Sequence, residues 1–120
     1  MSEESDVEAH EGPDADAVGD AQAAIDEARR RVAEVPAEVV ITNHVMGLYE
    51  LAAIHLSNDP PELASAALAI DAVGCLVEGL GDRLGADAGT MRDALANIRM
   101  AFVEIKGRTA HAQSGQDSLR

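Results

Sequence analysis

The apolar positions between Leu63 and Leu84 recur in steps of three and four: Leu63, Ala66, Ile70, Val73, Val77, Leu80, Leu84. That spacing keeps one side of a helix apolar over three heptads and is the cleanest periodic signal in the chain. Leu68, Ala72 and Leu76 add a second apolar face. The pattern predicts a helix over about 60–84, with Gly79 and Gly81 weakening its last turns and Gly85 ending it. Downstream, Met91, Leu95, Ile98, Phe102 and Ile105 predict a helix over about 88–106, with Asp87 as its cap. Upstream, Ile41, Val45, Leu48, Ala52 and Leu56 predict one over about 37–57. Here Val39, Met46 and Ile54 fall off the main stripe, and Val40 and Leu51 fall elsewhere again. A helix that is apolar around most of its circumference requires burial on more than one side.

The punctuation between these runs is helical too. Pro36 suits the first turn of the helix that follows, and Glu38 suits the positive end of its dipole. In "HLSNDPPEL", residues 55–63, Ser57 and Asn58 close one helix. Asp59, Pro60 and Glu62 have the Asp-x-x-Glu order of a capping box for the next. Before Pro36, "DAQAAIDEARRRVAEV" carries a thin stripe of Ala21, Ile25, Ala28, Val32 and Val35, which predicts a further short helix over about 20–34. Its arginines, Arg29 to Arg31, lie among Asp26, Glu27 and Glu34, as in local pairing on a solvated helix.

The fold class expected is therefore all-α, a small bundle of three main helices with an extra N-terminal helix. Composition supports it. There is one Phe, one Tyr and no Trp, so apolar volume comes from Leu, Ile, Val, Met and many alanines. Residues 1–19 are acidic and poor in large apolar groups, and are expected to be a disordered arm; 107–120 are expected to be a disordered tail, with one helical domain over 20–106 between them. Charged and polar residues interrupt every apolar run before the length of a membrane span, and no secretion signal is evident, which predicts a cytoplasmic protein and no membrane partner.

The net charge of −13 is spread as −8 over residues 1–34, −6 over 35–106 and +1 over 107–120. Such a chain repels phosphate backbones, so general nucleic-acid binding is disfavoured. One basic line cuts across the trend. Arg92, Arg99 and Lys106 recur every seven residues, expected to pair with Asp71, Glu78 or Asp82, or else to form a polar stripe for an acidic partner. The lone Cys75 excludes an internal disulfide and reads as a buried, inert thiol.

No catalytic motif emerges. His44 and His55 share a face of one helix but stand about 16 Å apart at about 1.5 Å per residue, too far to ligate one metal. "EGLGDRLG" lacks the Lys-Ser/Thr of a phosphate loop. Converging His44, Asp71 and Arg99 in a polar cavity would be the one sign of an enzyme. No catalytic, metal or cofactor site is assigned, and no cofactor is expected.

The segments "HL", "P", "LAIDAV", "LVEGLGDRLG", "RDAL" and "IRMAFV", in that order over about 35–103, resemble a small bacterial family known only as domain of unknown function 1844, in its actinobacterial form. The resemblance implies a compact helical protein, supplies no reaction and no catalytic residues, and links the chain to translation.

The function expected is a non-enzymatic, self-associating interaction or scaffold protein. The alternative is a small-ligand-binding or catalytic helical domain, or a translation-linked regulator. About seventy ordered residues with two aromatics, Tyr49 and Phe102, and no disulfide make a marginal core. A homodimer through Val39, Met46, Tyr49 and Ile54 would cover what two partner helices leave exposed. Antiparallel pairing near Tyr49 would bring His44 of one copy towards His55 of the other, and association would weaken as histidines protonate.

Overall fold

A computed structural model of the protein describes residues 14–118. Its helices are α1 (Ala15–Glu34), α2 (Ala37–Ser57), α3 (Leu63–Leu80) and α4 (Ala88–Ser118), with a 3₁₀ segment, Gly81–Asp87, joining α3 to α4. No strand occurs among the described residues, and the chain is all-α. It divides into two units between Pro36 and Ala37. The stretch 20–106 expected as a single domain spans both units, with α1 in the first and α2–α4 in the second.

In the α2–α4 unit, Val45, Ala52 and Leu56 of α2 meet Ala66, Ala69, Ile70, Val73 and Val77 of α3 and Met91, Leu95 and Ile98 of α4. The expected stripes supply nearly all of this core. Ala52 and Ala66 are fully buried, so the alanines act as close-approach points that let α2 and α3 pack side by side. Leu84 pins the 3₁₀ segment into the same core.

The differences from expectation lie at helix ends. α3 begins at Leu63, and the capping box does not form: Glu62 occupies the N-cap position without a side-chain cap bond. The Glu62 N–H donates instead to the His55 carbonyl at 3.0 Å, closing a loop that carries the chain past both prolines before the helix starts. The Asp59–Pro60 peptide bond is cis. At its other end α3 stops at Leu80, because Gly81 and Gly85 have φ of 55° and 84°, a region that residues with a Cβ rarely enter. α4 is entered directly from the 3₁₀ segment, of which Asp87 is the last residue.

α1 starts five residues earlier than its apolar stripe suggests, because Asp14 caps it by accepting from the Ala17 N–H at 2.7 Å. Residues 15–19, placed in the disordered arm by composition, are helical and Asp14 caps them; 1–13 of that arm lie outside the described residues. The expected disordered tail differs in the same way over 107–118, since α4 continues to Ser118, and 119–120 lie outside the described residues. A helix already nucleated by packing extends at little cost through "TAHAQ", which contains good helix formers and no proline.

Candidate functional site

Two of the three cations on the heptad line of α4, Arg92 and Arg99, are engaged across the bundle. The guanidinium of Arg99 donates to the Glu78 carboxylate on α3 through Nη2 at 2.9 Å and Nη1 at 3.4 Å. Arg92 donates to Asp82 of the 3₁₀ segment at 3.0 Å. The hydrogen bond from Arg99, reinforced by its charge, holds the Glu78 carboxyl below its usual range against a small opposing effect of burial. The same bond raises the Arg99 pKa, with burial opposing and the charges of Glu78 and Asp71 assisting. Lys106 is exposed and makes no ion pair among the described residues. The line of Arg92, Arg99 and Lys106 is thus mainly a strap between α4 and its neighbour, leaving Lys106 as its unengaged cation.

The catalytic constellation does not assemble. Asp71 lies within electrostatic reach of Arg99, but His44 is exposed and hydrogen-bonds to neither. Among the described residues no three His, Cys, Asp or Glu side chains are grouped to hold a metal ion. A shallow depression of about 480 Å³ lies over the turn from Asn58 to Ser65. Its acids, Asp59 and Glu62, oppose an anion at the start of α3.

Cys75 is exposed, which corrects the expectation of a buried thiol. The apolar run around it covers the whole helix, but only the line through Ile70, Val73 and Val77 faces the core. Cys75 is about 200° around the helix from Val73 at about 100° per residue. Leu68, seven residues earlier on that outward side, is 74% exposed. The second apolar face is therefore split, with Leu76 packed against the core and Leu68 in solvent.

The four residues expected to form a self-association face separate into two pairs. Val39 and Ile54 are exposed. Met46 and Tyr49 are half-buried and pack against the core. Leu51, which the sequence placed on neither face, is also exposed. Among the described residues two buried polar atoms have no hydrogen-bond partner, Thr42 Oγ1 and His55 Nδ1. Hydropathy alone could not have marked Thr42, since threonine occupies a stripe position of α2 beside Val45.

Judged by length and composition alone, α2 and a stretch within Leu63–Gly115 would suffice to cross a membrane, unlike the interrupted runs expected. Core helices meet the same criterion, and α2 buries Thr42, Val45, Ala52 and Leu56 within the bundle. No protein-family model, no curated protein and no solved structure matches the chain.

Proposed function

We propose that the protein is a non-enzymatic interaction protein that self-associates through the outer side of α2. The observation that carries this reading is the exposure of Val39, Leu51 and Ile54 on a helix whose opposite side is already packed. Ile54, 59% exposed, is the most exposed of the three. Grouped large apolar side chains in solvent mark an interface, and a two-fold axis is the commonest way for a single chain to cover its own patch. The kinship with domain of unknown function 1844 belongs to the same proposal. All of its quoted segments fall within the α2–α4 unit, and they include core residues Leu56, Ile70, Val73, Val77, Leu84, Leu95 and Ile98. A translation-linked partner is what that kinship adds.

The test is mass by light scattering across a dilution series. The wild-type chain is expected to exceed the monomer mass at high micromolar concentration, and Ile54→Glu to lower association without changing helicity. Met46→Glu is the poorer probe, because Met46 also packs against the core and the variant would lose stability. A wild-type chain that is monomeric throughout would overturn the reading. A metabolite or metal that raises the melting temperature would favour the ligand-binding alternative.

A further inference from the structure

α1 presents a heptad seam that its own unit leaves uncovered. Val18, Ile25 and Val32 recur every seven residues, and Ala21, Ala28 and Val35 recur three positions after them. These are the two inward positions of a coiled coil, with β-branched residues at one and mostly alanine at the other. No residue of α1 is buried, and Val18, Ile25, Val32 and Val35 are each 42% to 63% exposed. A groove of about 430 Å³ runs along Ile25, Ala28, Val32 and Ala33, with Arg29 at its rim. Most of a helix's stability in a folded protein comes from packing its apolar face rather than from propensity, so an uncovered seam calls for a partner.

We infer that α1 pairs with α1 of a second copy as a short antiparallel coiled coil. Side-chain size and charge both choose this occupant and this direction. In antiparallel packing each inward residue of one type shares a layer with the other type on the partner. Ile25 then faces Ala28 of the second copy, Val32 faces Ala21, and Val18 faces Val35, so large side chains oppose small ones through the middle of the helix. Parallel packing would stack Ile25 on Ile25 and Ala28 on Ala28, alternating crowded layers with gaps, which close packing disfavours.

Charge follows the same register. Arg29 flanks the seam and has no ion-pair partner among the described residues, whereas Arg30 and Arg31 share Glu27 of their own helix. Antiparallel pairing brings Arg29 beside Asp26 of the second copy. On the other flank it brings Arg31 between Asp20 and Glu27 of that copy. The two-fold axis repeats both contacts, and these acids and arginines are complementary only in this direction. The pairing is independent of the α2 face and rests on different residues.

Two measurements on the full-length chain test it. Ile25→Asp is expected to weaken association by at least about tenfold while leaving the melting of the α2–α4 unit unchanged. Unchanged association would overturn the pairing. Because Ile54→Glu probes α2 separately, an effect of Ile54→Glu without one of Ile25→Asp would leave the α2 reading standing and remove this one; the reverse would do the opposite. The second measurement is charge reversal in trans. Chains carrying Arg29→Glu and Arg31→Glu, and chains carrying Asp20→Lys and Asp26→Lys, are each expected to associate weakly alone and to regain wild-type association when mixed. A mixture as weak as its components would overturn the antiparallel arrangement.

Discussion

The guanidinium of Arg99 crosses α3 directly over Gly74: a Cβ at that glycine would lie 2.6 Å from Arg99 Nη2. Gly74 is buried, and its missing side chain is the space through which Arg99 reaches Glu78. A helix-interior glycine is usually a weakness, and here it has a geometric use.

Gly74→Ala is expected to displace Arg99 and leave the fold intact, since the atom in the way is the far end of a flexible side chain. Alanine gains up to about 1 kcal/mol of helix propensity over glycine, and an exposed ion pair is a weak contributor, so the melting temperature should hold or rise. The diagnostic change is in Glu78. Its carboxyl, held low by Arg99, should return towards the usual range in an NMR titration of the variant.

The same ion pair sets a pH dependence. The folded-state pKa of Glu78 lies below its unfolded value, so the pair's stabilisation is present above the ordinary carboxylate range and is lost as pH falls through the folded value. Glu78→Gln removes the titrating group. Its stability should fall less steeply than that of the wild type on the acid side, as read from denaturant midpoints measured at a series of pH values.

Gly85→Ala is expected to destabilise, in contrast to the substitution at Gly74. Gly85 has φ of 84°, and a Cβ there would come within 3.1 Å of Glu38 Cγ. A residue with a side chain forced into such a conformation costs on the order of 1–3 kcal/mol. Chemical denaturation should show the loss, and Glu38→Ala should not rescue it if backbone conformation is the dominant cause.

Thr42→Val is expected to stabilise the bundle. Thr42 is 6% exposed and its Oγ1 has no hydrogen-bond partner. A buried, unsatisfied hydroxyl costs about 1–3 kcal/mol, and valine has nearly the same shape without the polar atom. A lower melting temperature for the variant would mean that the hydroxyl has a partner in solution.

Ile70→Ala tests the core itself. Ile70 is 4% exposed between α2 and α4, and its truncation should cost on the order of 2–5 kcal/mol. An unchanged melting curve would remove it from the centre of the bundle.

The three-and-four spacing of Ile70, Val73 and Val77, and of Met91, Leu95 and Ile98, determined which sides of α3 and α4 are buried, because a helix turns about 100° per residue whatever surrounds it. The charge periodicity of Arg92 and Arg99 likewise pointed to Asp82 and Glu78. Both ends of α2 were legible as well, at 37 and 57, but other helix ends were not. Asp59 has the chemistry of a cap but is not used, because the Glu62 N–H bonds to the His55 carbonyl and delays the helix. Residues 107–118 have the composition of a tail and continue a helix because packing had already nucleated it. Cys75, Leu68 and Met46 show the same limit for burial: in a helix apolar all round, only the placement of the neighbouring helices decides which apolar residue is covered. Local periodicity belongs to the sequence, whereas coverage and termination depend on groups far apart in the chain, and those meet only in the tertiary structure.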